Sequence, residues 1–455
     1  MQYRKMDLVL FDYENKNKDG DETFRVFVQA SPEITQPVGN AEKVIIGKTL
    51  RQRLRLLEER LLVEDEIIEL GTELGKMLFP GTMASYVDDN LKEMEAGTTL
   101  RIQLRISDFP LADMPWEYAY LPNPGMPPAL NFLALNKRVS VVRYDTHGVK
   151  QAKSSKTLNP INKDARPSLI MLMADPNKPP EYPELRLEDE RVKIEEALRS
   201  IENSLTPKFH SNVTIETLLD AVAGDMHVFH FAGHGKFEKD LGQNFRGMAG
   251  EGSLVIFDED KSTPRLLSVG DLVMALNGTK VRLAVLGACE TGRRDGESAW
   301  TGIAAALSLA DIPAVVSMQY TINNQNAIYF SRAFYKSLAE HESVDAAVTA
   351  GRHAIYMRRS GDKKERDWGV PVLYLRADDS MAVIFPRMPD VSPTGNYQPD
   401  PMRSDPVGAL SGYHSGTGDG NIQSTTPYTS RKCPNCGTEN PAIAKFCMEC
   451  QTRIS

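Results

Sequence analysis

The chain has 455 residues, 41% of them hydrophobic and 25% charged, the balance of a globular protein with two or three folded units. A formal net charge of -8 argues against a protein that coats nucleic acid and leaves room only for a small local basic patch. No stretch approaches the roughly 20 apolar residues that cross a bilayer, and the N-terminus (MQYRKMDLVLFDYENKNKDGDE) turns polar before a signal-peptide core can form, so a cytoplasmic location with no membrane contact is expected.

Residues 1–150 mix strand-like and helical patterns and are expected to form an α/β N-terminal domain. The segments 24–30 (FRVFVQA), 100–106 (LRIQLRI) and 139–143 (VSVVR) read as strands, while 50–78 has helix-favouring composition with Leu54, Leu57, Leu61 and Ile68 near helical spacing. Between the last two strands lies a proline-punctuated turn, Leu111 to Glu117, beside Trp116. Trp116 and Glu117 read as domain packing, with the turn docked on the following half. Residues 151–167 are polar and rich in Lys, Ser, Asn and Pro, which suits a linker.

From Ser168 the rhythm becomes strand, helix, strand, as in a mostly parallel sheet covered by helices on both faces. The run 168–175 (SLIMLMAD) is continuously apolar, and 187–201 is an amphipathic helix with acids in its first turn, where the helix dipole favours them. Then come the strand 227–233 (HVFHFAG), a hairpin-like GSLVIFDED and a Ser268-capped helix. They are followed by the strand 282–288 (RLAVLGA), a small-residue helix, the strand PAVVSMQY, two helices within 323–359 and a last strand, 370–376. One α/β domain over 168–386 is expected. Residues 387–430 are dense in Pro, Ser, Gly, Thr and Asp, too poor in aliphatic side chains to offset ordering entropy, and read as a tether before a module at 431–455.

Function collects at the carboxyl ends of strands in such a sheet. One strand ends in Gly233-His234-Gly235 and another in Cys289-Glu290-Thr291-Gly292. A thiol is a useful nucleophile only as thiolate, and an adjacent imidazole can take its proton. Glycines beside the histidine let the backbone approach a carbonyl closely, and the amides of Gly235 and Cys289 are candidates for an oxyanion hole. Taken alone, Cys289 is equally a buried inert thiol and His234 a turn residue. The polar ETGRRDGES after the strand argues instead for an exposed loop at Cys289; Arg293 and Arg294 in it read as solvated or as a processing site.

The pair of motifs, HFAGHG and then VLGACETG some 55 residues later, resembles the caspase-type (clan CD) cysteine peptidases and, more narrowly, their CHAT branch. The resemblance extends through PAVVSMQY, NAIYFSRAFYKSLA and WGVPVLYL, and back to LRIQLRISDFPLADMPWEYAYL and FLALNKRVSVVRY, covering roughly residues 1–380. It implies a caspase-like fold, His234 and Cys289 as the catalytic dyad, Gly235 and Cys289 as oxyanion donors, and no required third side chain or catalytic cofactor. The residue two before the cysteine, a Gln in caspases proper, is Gly287, so cleavage after Asp is not supported. Asp175, Glu290, Asp295 and Glu297 stand near the expected pocket as candidates for support or for a basic substrate residue. His230 shares strand parity with His234 and reads as a buried, hydrogen-bonded support; His227 points the other way, so the three histidines do not gather round a metal. CHAT peptidases are often activated by a protein partner and cleave a specific protein, in some cases a pore-forming gasdermin-like one, which implies regulated proteolysis in antiviral defence or cell death.

Of five cysteines, four lie in the last 25 residues. Cys433-x-x-Cys436 and Cys447-x-x-Cys450 read as two knuckles presenting four thiolates to one structural zinc ion. The spacer is short, and Gln451 replaces the usual glycine; a redox pair is the weaker alternative. Lys432, Lys445 and Arg453 give slight positive charge that allows nucleic-acid contact, while a tethered protein-recognition or sensing module is the expected use. The expected activity is thus a cysteine endopeptidase, the alternatives being a non-catalytic caspase-like scaffold and a zinc-ribbon nucleic-acid-binding protein.

Overall fold

A computed structural model of the chain describes residues 2–15, 22–29, 40–145, 167–179, 181–199, 205–239, 250–288, 299–358, 365–376, 430–435 and 439–441. The expected linkers at 151–167 and 387–430 lie outside these residues except at their last positions.

The first half contributes β1 (Gln2–Asn15), β2 (Glu22–Val28), β3 (Glu42–Ile46), α1 (Lys48–Glu58), α2 (Glu64–Leu78), α3 (Met83–Glu93), β4 (Thr98–Ile106), the short α4 (Phe109–Ala112) and β5 (Val139–Asp145). The helix-favouring stretch 50–78 is two helices, because Arg60 takes a left-handed conformation (φ 58°) that no helix can pass through. The second half alternates as its pattern requires: β6 (Ser168–Ala174), α5 (Leu187–Arg199), β7 (Thr206–Ser211), α6 (Ile215–Val222), β8 (Val228–Gly233), then β9 (Gly235–Lys239), β10 (Gly250–Phe257) and β11 (Pro264–Ser268). It continues with α7 (Val269–Leu276), β12 (Leu283–Ala288), α8 (Ala299–Leu309), β13 (Ala314–Met318), α9 (Asn324–Ala339), α10 (Val344–Tyr356) and β14 (Pro371–Leu375). Ser268 accepts the Asp271 amide at 3.1 Å and caps α7 as expected. All six residues of β8 are buried, as are the last six of β6, which is why both strands are apolar throughout instead of alternating.

The two halves share one sheet of eleven strands, ordered β3-β2-β1-β4-β5-β14-β13-β12-β8-β6-β7. Its neighbours are parallel except at β3–β2, β2–β1 and β14–β13. The fold is therefore mixed α/β around a large, mostly parallel sheet flanked by helices. Because β13, β12, β8 and β6 run parallel to one another, their carboxyl ends lie at one edge of the sheet. A second sheet, β11-β10-β9, branches off immediately after His234.

The 111–117 turn does dock on the second half. Glu117 and Arg143 are fully buried and joined at 3.0 and 2.6 Å, and Arg143 also reaches Gln319 at 3.1 Å, while Gln319 donates to the Asp113 carbonyl at 2.9 Å.

Candidate active site

Three neighbouring strands end level with one another. Ala174 of β6 pairs with Gly233 of β8, and Gly233 pairs with Ala288 of β12. The next residue on each strand is Asp175, His234 and Cys289. Register alone thus delivers a carboxylate and an imidazole to adjacent strand ends, level with the last residue of β12. Cys289 itself, with Glu290, Asp295 and Glu297, lies outside the described residues.

Two glycines make this convergence sterically feasible. A Cβ on Gly233 would stand 2.7 Å from the Ala174 carbonyl oxygen, so a larger residue would push β8 away from β6. A Cβ on Gly287 would stand 3.2 Å from Nε2 of His230, which is why β12 carries glycine two residues before the cysteine.

His234 is fully buried, with Nε2 3.6 Å from Oδ1 of Asp175. That separation is too long for a hydrogen bond, and neither ring nitrogen of His234 has a hydrogen-bond partner. Both carboxylate oxygens of Asp175 are held by the backbone, Oδ1 by the Asn177 amide at 3.1 Å and Oδ2 by the Leu185 amide at 2.9 Å. Burial alone would raise the Asp175 pKa. The neighbouring imidazole and the two amides outweigh it and hold the carboxyl below its ordinary value. Asp175 is an anion at neutral pH, aimed at the Nε2 side of the ring. The ring of Tyr182 lies against the imidazole, centroids 5.4 Å apart and planes at 52°.

His230 occupies the place expected of a support. It is fully buried, its Nδ1 3.0 Å from the Tyr335 hydroxyl, and burial lowers its pKa to about 3. Its Nε2 is 3.8 Å from Glu190, whose carboxyl is itself buried and raised in pKa, chiefly by desolvation, while Ser331 donates to it at 2.6 Å. Gly235 starts β9 opposite Leu254. His227 sits at the far end of β8, its Nδ1 3.3 Å from the Ser168 amide, and among the described residues no group of His, Cys, Asp and Glu is arranged to hold a metal ion.

A family model described as CHAT domain matches residues 69–378, well over half of the sequence. The chain belongs to the CHAT family. The CHAT match begins inside α2 and runs to just past β14, so it spans the expected linker at 151–167 and contains Asp175, His230, His234 and Cys289. A second model, Domain of unknown function (DUF7577), covers residues 429–455 and takes in the four tail cysteines. No curated protein matches the chain.

Among solved structures, this CHAT protein is similar to a chain of the Saccharomyces cerevisiae separase–securin complex, with TM-score 0.43 and 11% identity over 82% of this chain and 30% of that one. It therefore spans less than a third of that chain. It is similar also to the Arg-specific cysteine proteinase gingipain R (RgpB), TM-score 0.41 and 12% identity over 71% of this chain and 75% of that chain. The complex of Porphyromonas gingivalis RgpB pro- and mature domains gives TM-score 0.41 and 12% identity, covering 74% and 78%. Likenesses this distant assign no residue.

In the tail, β15 (Ser430–Lys432) and β16 (Glu439–Pro441) form an antiparallel hairpin, and Cys433 is buried with its sulfur 3.4 Å from the Asn435 amide. Cys436, Cys447 and Cys450 lie outside the described residues. Sequence reasoning missed Tyr182. A lone aromatic between prolines in a loop has no periodicity to reveal what it will cover.

Proposed function

We propose that the chain is a cysteine endopeptidase that cleaves a specific protein through Cys289 and His234. The observation that carries this reading is the common register of three strand ends, one giving a carboxylate and one an imidazole, with Cys289 next in chain on the third. With Nε2 facing Asp175, Nδ1 is the nitrogen left to act as base. Nδ1 takes the thiol proton of Cys289, and the thiolate attacks the peptide carbonyl carbon. The amides of Gly235 and Cys289 receive the oxyanion. His234 then protonates the leaving amine as the C–N bond breaks, and water, deprotonated by the same imidazole, hydrolyses the thioester. Asp175 orients the ring and stabilises the imidazolium, as the third member of such systems does. His230 supports the strand end; Glu290, Asp295 and Glu297 remain candidates for recognition of a basic substrate residue.

CHAT membership supports a peptidase whose activity depends on a protein partner, in defence or cell death within the cytoplasm. No helix among the described residues is long and apolar enough to cross a membrane. Four thiolates from Cys433, Cys436, Cys447 and Cys450 suit one structural zinc ion, and an amide hydrogen bond to a Cys433 sulfur is the contact a zinc knuckle makes. Bound zinc would supply folding energy to a tail with no core of its own, leaving no open position for catalysis. This tail is assigned to protein contact ahead of nucleic acid.

Incubation of wild type, Cys289→Ala and His234→Ala with proteins encoded beside it, together with a thiol-reactive peptide probe, tests the dyad. Cleavage and probe labelling vanish with Cys289→Ala and fall by about a hundred- to ten-thousandfold with His234→Ala. Equal labelling of wild type and Cys289→Ala would leave the scaffold reading in its place.

A further inference from the structure

We infer that residues 181–185, led by Tyr182, are a strap closed over His234, and that the described conformation is the covered, poorly poised form of the site. The inference rests on the reading of His234 as the catalytic base. An imidazole that must exchange protons with a thiol and a departing amine has to be reached by the substrate. Here it has no exposed surface, its two nitrogens are unpartnered, and the 6%-exposed Tyr182 lies on its ring.

The strap is pinned by contacts that can be undone one at a time. The Tyr182 amide donates to the Lys178 carbonyl at 2.9 Å, closing an isolated bridge. Glu181 pairs with Lys236, two residues beyond His234, at 3.5 Å with both side chains partly in solvent. Such a pair is weak and screened by salt. Pro183 lies within the segment, and its fixed φ stiffens the piece that carries Tyr182.

A further pin is the Leu185 amide on Asp175, whose other oxygen accepts the Asn177 amide from outside the strap. The two amides occupy both oxygens of the carboxylate that faces Nε2, and the Asp175–His234 separation stays at 3.6 Å. Lifting the strap releases the Leu185 amide from Oδ2. The freed Oδ2 can then accept from Nε2, which orients the ring. One movement therefore uncovers the imidazole and completes its hydrogen bonding. A partner or the substrate itself can supply the differential binding that drives it.

Acylation of histidines by diethyl pyrocarbonate, read peptide by peptide by mass spectrometry on the full chain, tests this without assuming any substrate. His210, partly exposed on β7, is the internal reference. In wild type His234 reacts about tenfold or more slowly than His210, because reaction waits on local opening. In Tyr182→Ala, or in Glu181→Lys, which sets like charge against Lys236, His234 approaches the His210 rate. Wild-type His234 reacting as fast as His210, or protection unchanged in both variants, overturns the strap. Cys289→Ala keeps the protection in full. A chain that shows protection and strap release yet cleaves nothing would refute the peptidase reading alone.

Discussion

His230 stands four residues before His234 and, unlike it, has a hydrogen-bond partner on its ring. It is packed against Tyr335 and Glu190, fully out of solvent, and its pKa is lowered to about 3 by burial. Glu190 is pushed up by the same burial, and with His230 neutral their 3.8 Å contact is not an ion pair. The folded chain refuses a proton at His230 that the unfolded chain accepts below about 6.5. His230's contribution is therefore full above that pH and is lost as pH falls toward about 3, by up to about 1.4 kcal/mol per pH unit. Glu190 acts in the other sense, its contribution being lost as pH rises through its raised folded pKa, and the wild-type curve is flattened where the two overlap. Urea titrations of wild type and His230→Phe from pH 7 to 4 isolate the histidine. The stability of wild type relative to His230→Phe declines steadily on acidification; a constant difference across that range would show that His230 does not titrate as its burial requires. The strands that end before His234 and Cys289 were legible in sequence because each is a continuous apolar run. Asp175 was legible only as an acid near the site, since its level with His234 depends on strand register, which sequence does not display.

At the scale of elements, patterns read locally were recovered closely where burial is two-sided, as in β6, β8 and β12, and less well where packing decides. In α2, Gly71 and Gly75 lie one turn apart, and a Cβ on them would come within 2.5 and 2.3 Å of the Tyr118 and Tyr120 carbonyl oxygens. Glycine costs an isolated helix about 1 kcal/mol each, and here it lets the chain at 118–120 lie directly on the helix, with the Tyr120 amide donating to the Gly71 carbonyl at 2.8 Å. Helical propensity shows the cost and cannot show the contact that offsets it. The tail is a different kind of element: on the four-thiolate proposal, its folding energy comes from the ion. About one zinc ion per chain is expected by elemental analysis, with Cys433→Ser or Cys447→Ser removing it and making the remaining tail thiols reactive. Zinc content unchanged by both substitutions would end the four-thiolate assignment.

At the scale of the molecule, no local signal could reveal that β5 and β14, more than two hundred residues apart in sequence, lie side by side and join both halves into one sheet. The join is reinforced by charges that cannot be separated cheaply. Arg143, paired with Glu117 on its own side, reaches Gln319 across it; Arg101 pairs with Asp345 at 3.0 Å with both buried; Arg60 reaches Asp367 at 2.7 Å, where Asp367 also accepts the Asn323 amide before α9. Tyr3 adds bonds to Ser343 and Asp345 at 2.6 and 2.8 Å, and Tyr118 donates to the Arg366 carbonyl at 2.7 Å. Stripping one partner from a buried pair costs about 3–5 kcal/mol because the other charge is left in a dry interior. Separation of the halves would do this at Arg101 and Asp345, would take Gln319 from Arg143, and would expose the flanks of β5 and β14. A site for a sequence-specific protease placed within 151–161 therefore yields two fragments that still elute as one particle in native size exclusion, and part only in denaturant. Fragments that separate on cutting would mean that the polar segment joins two independent domains, and that the contacts across β5 and β14 are too weak to set the position of the catalytic edge.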